Sequence, residues 1–351
     1  ELDAFVKADV SLSNIKNQGK GDLFELSMGR LDFSIDLKED DNGRWSGDAF
    51  SVLATDIAAH MGSSVKVASL KSLAINAPFK GFDMQVYNRY VKRMTVDPIE
   101  VFAELQTEPG ATAFVDSMGS EQTLEFLLSG LQIQDREGNP VFSLGSFGFD
   151  SRVRLAEGAN SSWLIALNLK DVVDGKEGNL AEFFPNKANL ETTVGNIPMV
   201  EFWQVMATSF SEAFNAAGQE GIEQRFVERI RKPLFDAHLS LNLDGAFDLP
   251  QAMMKINGVL SADPKSVTLV SGGFDVEVEG FDKLVEFVGK NPLMADFQPI
   301  IQELSRIGSL KNDGEKGVVA TYRIEMARDG NILVNGESIT QQALIEPGVP
   351  G

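Results

Sequence analysis

The side chains best suited to chemistry in this chain are two histidines, two Ser-x-x-Lys tetrads, a Gly-Lys-Gly triplet and several acidic turns. A structural or catalytic zinc needs several His, Cys or carboxylate ligands at set intervals, and neither His60 nor His238 has a partner so spaced. His238 alternates with Ser240 and Asn242, which predicts the solvated face of a strand, while His60 follows an alanine-rich run. Ser13–Lys16 and Ser63–Lys66 have the spacing by which a lysine activates a serine hydroxyl on a helix. Both sit among alternating residues that predict strands, and the companion motifs of such hydrolases are missing. Gly19-Lys20-Gly21 opens like a phosphate loop but lacks the GK[ST] that would close it. Asp40, Asp41 and Asn42, and Asp135 with Glu137, offer oxygens without the spacing of a calcium loop. Acidic hairpin tips of that kind are ordinarily solvated. The chain has no cysteine, which excludes thiol nucleophiles, thiolate metal sites and disulfides. A glycosidase-type carboxylate pair would have to be recognised by its separation, which a sequence does not give. The expectation is a protein that is no enzyme, with no metal and no cofactor.

Charge narrows the partners. Lys and Arg total 31 against 51 Asp and Glu, a formal net charge of −20, which repels nucleic acid and anionic headgroups. Arg89, Lys92 and Arg93 form the densest basic group, too short for a polybasic run and better read as a solvated helix or strand face. Phenylalanine is plentiful, 24 residues against three Tyr and three Trp. Lacking a polar handle, it suits a thick core or an apolar cavity better than a sugar-stacking surface. No run approaches the eighteen or so apolar residues of a membrane span. The chain opens at Glu1 rather than Met, so a processed or truncated product is expected, its signal peptide or membrane anchor already gone.

The elements that must position these residues are mostly strands. From Asp22 to Leu37, Phe24, Leu26 and Met28 share one parity and Leu31, Phe33, Ile35 and Leu37 the other, with Gly29 between. Period two is the mark of a strand, and a parity change at glycine predicts a β-bulge there or a strand crossing between two faces. A similar run recurs at Phe142, Leu144, Phe149, Val153 and Leu155. Sliding 11–45 onto 129–163 without a gap aligns nine identities, Phe24 with Phe142 and Trp45 with Trp163 among them, which reads as an internal repeat of two meanders ending in the turns Glu39–Gly43 and Glu157–Ser161. A third β-rich block spans about 236–281. A closing hairpin follows, in which Asp329-Gly330-Asn331 predicts a type I′ turn and Asn335-Gly336 turns the chain again.

Helical spacing interrupts the strands. Trp203, Met206, Phe210 and Phe214 form an apolar stripe from Pro198 that Gly218 would stop. Ile222, Phe226 and Ile230 form a second helix ending near Pro233. Shorter helices are expected at 98–106, 111–128, 282–290 and 296–307. The predicted class is α+β with β dominant: large curved antiparallel sheets, with short amphipathic helices over one face. The expected divisions are a β-meander region at 1–195, a helical segment at 196–235 and a C-terminal β-rich region at 236–351, which could also form one continuous elongated domain.

With its repeated meander and its ending Asp329-Gly330-Asn331-Ile332-Leu333-Val334-Asn335-Gly336, the chain resembles the AsmA-like and YdgA-like proteins of the Gram-negative envelope. Phe274 to Leu284, FDVEVEGFDKL, carries the rest of the likeness. The resemblance implies a periplasmic or envelope-associated protein with no catalytic residues, anchored by a helix preceding the sequence, whose larger relatives are thought to shelter acyl chains. Two functions follow. In the first, a lipid or other apolar ligand is bound in a groove lined by Trp203, Met206, Phe210, Phe214 and Phe226. In the second, the same residues are solid core and the protein is a structural or interaction module docking to another envelope protein.

Overall fold

A computed structural model describes residues 7–18, 24–61, 65–155, 160–174, 184–214 and 221–339. Within them the chain is α+β with β dominant: fifteen strands in one antiparallel sheet and seven α-helices. The first block comprises β1 (Lys7–Gln18), β2 (Phe24–Glu39), β3 (Trp45–Met61) and β4 (Val65–Phe82), then α1 (Met84–Val96), α2 (Pro98–Leu105) and α3 (Glu108–Ser117). The second comprises β5 (Glu121–Gln134), β6 (Pro140–Arg154), β7 (Asn160–Asp174) and β8 (Lys187–Pro198), then α4 (Met199–Phe214) and α5 (Ile222–Asp236). The third comprises β9 (Ser240–Asp248), β10 (Met253–Ala262) and β11 (Val270–Glu279), then α6 (Phe281–Lys290) and α7 (Gln298–Ile307). The chain closes with β12 (Ser309–Asp313), β13 (Gly317–Met326), β14 (Ile332–Val334) and β15 (Glu337–Ile339). Strands are joined in chain order from β1 to β11, then β13, β14 and β15, with β12 on β13. Two compact units result, one holding residues 1–139, 148–165 and 193–239 and the other 140–147, 166–192 and 240–351.

In the first unit, the alternation foreseen in β2 extends over five strands. Val10, Phe33, Val52, Ile75 and Phe126 lie opposite one another across β1 to β5, and Leu12, Leu31, Ala54, Leu73 and Leu128 form the next row on the same side. The reverse side of those strands carries Asp9, Ser34, Ser51, Asn76 and Glu125 in one row. The parity change in β2 does not come from a bulge at Gly29. Register runs through Gly29 unbroken, from Met28 opposite Ile57 to Arg30 opposite Thr55, so no extra residue is inserted there. Instead the flanking strands hold left-handed residues in that row: Asn14 (φ 55°) on β1 and Asp56 (φ 54°) on β3. Gly130 (φ 65°) continues the row on β5, opposite Lys71 of β4. A left-handed residue interrupts the pleat, and all five strands change apolar parity across this one row.

The row is crowded. A Cβ on Gly29 would lie 2.9 Å from the Asp56 Cβ, closer than side chains tolerate. The same pairing recurs in the second unit, where a Cβ on Gly145 would lie 2.7 Å from the Cβ of Asp171 (φ 55°). Asn14 and Gly130, like Gly29 and Gly145, are 116 residues apart, and Asp56 and Asp171 are 115 apart. Gly81 (φ 72°) and Asn196 (φ 59°), three residues before α1 and α4, are also 115 apart. A gap-free offset of 118 aligns none of these positions.

Two helix predictions are corrected. The helix expected at 111–128 stops at Ser117, because Gly119 turns with φ 81° and Glu121 enters β5. Helix α5 does not end near Pro233 but runs on to Asp236. Proline removes one hydrogen bond, and three more residues complete the last turn before Ala237 and His238. The predicted stop, Gly218, lies outside the described residues. Helix α1 was not foreseen, although Asp83 caps it by accepting from the Val86 N–H at 2.9 Å.

In the second unit α6 and α7 cover one side of the sheet. Phe281 and Ile307 pack with Val278, Ala320, Tyr322 and Val334 into a buried core, and Tyr322 donates to the Leu304 carbonyl at 3.1 Å. Burial pushes the Tyr322 hydroxyl up to about 12. The type I′ turn expected at Asp329-Gly330 forms instead at the next turn. At Asp329-Gly330 only Gly330 takes positive φ (89°), and the Ala327 N–H donates to the Asn331 carbonyl at 2.9 Å, a three-residue loop with a glycine bulge. The type I′ turn is Asn335-Gly336, where both residues are left-handed (51° and 84°) and Val334 faces Glu337.

Glu279, at the end of β11, is the most perturbed carboxylate in this unit. Lys255 at 2.8 Å and Lys316 at 3.0 Å hold it down to about 2. Its stabilisation is therefore complete above the ordinary value of 4.5 and is lost as pH falls from there through about 2. Both lysines are half exposed, so screening leaves roughly 1–2 kcal/mol. Urea titrations at pH 6 and pH 3 should show that loss in the native protein and a smaller one in Glu279→Gln. Equal slopes would refute the assignment.

Candidate functional site

The residues foreseen as chemically able are dispersed by the fold. His60 lies on β3, and its Nδ1 is buried without a hydrogen-bond partner. His238 is not on a strand: it sits in the turn after α5 with φ 54°, its N–H donating to the Phe235 carbonyl. Ser13 and Lys16 lie on β1 rather than a helix, and the Lys16 Nζ lies 3.7 Å from Glu25. Ser63, the Gly19-Lys20-Gly21 triplet and most of the turn at 157–161 fall outside the described residues. The acidic tips are hairpin caps. Asp40 Oδ1 accepts from the N–H groups of Asn42 and Arg44, each at 2.9 Å, and Asp135 Oδ1 from those of Glu137 and Asn139. Those oxygens are engaged by backbone. No cluster of three metal-ligating side chains occurs among the described residues. Arg89, Lys92 and Arg93 share α1, with Arg93 bonded to Glu104 at 2.6 Å.

The apolar stripe of α4 is partly assembled as expected. Trp203, Phe210 and Phe214 line an open cleft of ≈ 350 Å³ with Met94, Phe102 and Leu105 of the preceding helices. Phe102 stacks on Phe210 at 5.6 Å and tilts against Phe214 at 5.9 Å. Met206 and Phe226 do not line it. The wall opposite α4 was missed by sequence reasoning, though its spacing is plain: Pro98, Val101, Phe102 and Leu105 recur at helical intervals along α2.

Behind the cleft the helices pack chiefly on one another. Tyr90, fully buried, joins Val101, Phe102, Leu105, Phe114 and Ala207 in a core of helical residues only. Its hydroxyl donates to Glu104 Oε1 at 2.9 Å and to the Gly110 carbonyl at 3.2 Å, tying α1 to α2 and α3. Burial, then Glu104, pushes the Tyr90 hydroxyl up. Burial also pushes the Glu104 carboxyl upward, but bonds from Arg93 and Tyr90 outweigh it and leave the group below its ordinary value. An aromatic run, Phe79, Phe82, Tyr87, Phe114 and Trp203, connects the end of β4 to this core with centroid separations of 4.9 to 5.9 Å. A second recess of ≈ 420 Å³ lies along it, lined by Ala77, Phe79, Phe82, Met84, Tyr87 and Met118 among others. Ala77 and Phe79 share parity with Leu73 and Ile75, so the recess continues the apolar side of the sheet.

That side of the sheet is only partly buried. Of the ten residues in its two central rows, Ala54 alone is buried, while Val10 is 52% exposed, Leu12 51% and Phe33 37%. Beyond the left-handed row, Leu26, Met61 and Ile133 are likewise exposed. In the second unit, Val278 of β11 and Ala320 and Tyr322 of β13 are buried with Phe281 of α6 and Ile307 of α7; in the first, the two rows hold one buried residue among ten. No known protein family, no curated protein and no solved structure matches the chain.

Proposed function

We propose that the protein is a non-catalytic envelope protein that holds a lipid or another apolar ligand against the apolar side of β1 to β5 and the helical cleft beside it. The observation that carries this reading is the pair of rows from Val10 to Phe126 and from Leu12 to Leu128, apolar in every strand and buried only at Ala54. The mechanism is passive. Each methylene moved from water onto such a surface gains about 0.8 kcal/mol, so a single long chain is retained without a specific polar contact. The periplasmic location rests on the likeness of Phe274–Leu284 and Asp329–Gly336 to AsmA-like chains, and an anchor preceding the sequence belongs to the same reading.

Native mass spectrometry of the gently purified protein should reveal bound lipid, and a fluorescent C12 acyl probe should bind after delipidation. Phe33→Asp, at a half-exposed position, should weaken the probe at least tenfold with little change in melting temperature. An empty preparation that ignores the probe would refute the proposal.

A further inference from the structure

Three asparagines in the chain are followed by glycine: Asn42-Gly43, Asn257-Gly258 and Asn335-Gly336. This pair is the one most open to self-modification, because glycine leaves its own amide nitrogen unshielded and free to approach the asparagine carboxamide. The fold treats the three differently. Asn335 holds the closing turn: its Nδ2 donates to the Ile307 carbonyl at 2.8 Å and the Thr321 carbonyl at 3.2 Å, and its Oδ1 accepts from the Arg323 N–H at 2.7 Å. Asn257 lies inside β10, opposite Asp244 on one side and Asp275 on the other, with its Nδ2 donating to Asp244 Oδ2 at 2.9 Å.

Asn42 has neither restraint. It is exposed at the tip of the β2–β3 hairpin, in the three-residue loop Asp41-Asn42-Gly43, which is closed by the Asp40 N–H donating to the Arg44 carbonyl at 2.8 Å. Its backbone N–H donates to Asp40 Oδ1 at 2.9 Å, but its carboxamide has no hydrogen-bond partner among the described residues. What opposes attack is the bond from the Gly43 N–H to the Asp40 carbonyl, 3.0 Å long and placed at an exposed tip, where local opening costs least.

We infer that Asn42 is a site of spontaneous deamidation in the folded protein, while the fold protects Asn257 and Asn335. The Gly43 nitrogen loses its proton to solvent and bonds to Asn42 Cγ; the Cγ–Nδ2 bond breaks, and Nδ2 takes up a proton and leaves as ammonia. Water then opens the resulting five-membered imide at either carbonyl, giving aspartate or isoaspartate, so that one water is consumed and one ammonia released. Both products put a new carboxylate beside Glu39, Asp40 and Asp41. The isoaspartate also routes the main chain through Cβ, lengthening by one methylene a loop whose closing bonds need its present length. Arg44 directly follows this loop, and its Nη1 donates to the Gly81 carbonyl at 3.3 Å and the Asp116 carbonyl at 3.4 Å. Lengthening therefore loosens the tie between the hairpin tip and the ends of β4 and α3. The inference is independent of what the apolar side of the sheet holds.

The full folded chain, incubated in mildly alkaline buffer made with heavy-oxygen water and then digested for peptide mapping, should take up label at Asn42 at least tenfold faster than at Asn257 or Asn335. In urea the three should label at similar rates, because the restraints of the fold are gone. Asn42→Gln, which keeps the amide but disfavours ring closure, should stay unlabelled at that position. After the same incubation, amide exchange at Gly43 and Arg44 should be faster in the isoaspartyl fraction than in fresh protein, and unchanged in Asn42→Gln. Absence of label at Asn42, or equal labelling of the three sites in the folded chain, would overturn the site. A preference for Asn42 that persists in urea would overturn the protection assigned to the fold, and unchanged exchange in the isoaspartyl fraction would overturn the loosening.

Discussion

Replacing Tyr90 by alanine should destabilise the first unit by about 3–5 kcal/mol, the largest single effect expected at any side chain described above. The ring is wholly buried at the meeting of α1, α2 and α3, edge-on to Phe114 at 5.2 Å, and its removal leaves a cavity in a core built from few residues. Tyr90→Phe separates packing from hydrogen bonding. It keeps the ring but leaves Glu104 Oε1 and the Gly110 carbonyl without their donor, at about 1–2 kcal/mol. Arg93 still holds Glu104, so a collapse of the helices in Tyr90→Phe is not expected. Chemical denaturation followed by circular dichroism would measure both. Equal losses for the two variants would refute the division, because it requires the ring to outweigh the hydroxyl.

The second large effect is expected where the sheet is most crowded. Gly29→Val places a branched side chain into the 2.9 Å approach of the Asp56 Cβ, and the strands must separate or slip. Overpacking of this kind costs about 1–3 kcal/mol. It has a built-in control: Asp56→Gly removes the obstructing atoms at a position whose φ of 54° glycine adopts freely. The double variant should therefore recover part of the stability lost in Gly29→Val. A positive coupling in the double-mutant cycle is the expected result. Strict additivity would mean that the two positions do not meet. Gly145→Val with Asp171→Gly should repeat the pattern in the second unit.

The strands were legible because alternation is imposed residue by residue. The apolar sets Phe33/Leu31 and Met28/Leu26 lie where period two puts them, and β2 covers the segment that suggested it. What alternation could not disclose is the cause of its own interruption. Gly29 looks like a bulge in one strand, yet the left-handed residues are Asn14 and Asp56 on its neighbours, a fact about pairing rather than about any one segment. The turn at Asp329-Gly330 was legible but not its type, since Asp-Gly and Asn-Gly each fit two turn types and loop closure chooses between them.

Helix α1 escaped notice for a related reason. Its sequence, MQVYNRYVKRMTV, is rich in β-branched and aromatic residues, and its helical state is set by the Asp83 cap and by packing of Tyr90. The cleft was half legible. Trp203, Phe210 and Phe214 announced one wall by spacing, but the facing wall depends on how α2 lies against α4, which no periodicity encodes. The rows of β1 to β5 were legible as apolar, not as partly exposed: how far neighbouring elements cover each side chain is decided by tertiary contact.

Because, among the described residues, every strand from β1 to β10 bonds only to its neighbours in sequence, stability accumulates pair by pair along the chain. Fraying from a terminus then exposes one strand at a time, with no distant partner to resist it. Amide exchange should accordingly be graded along the ladder, fast on β1 and slower toward β3 and β4, in place of one uniform rate for the whole sheet.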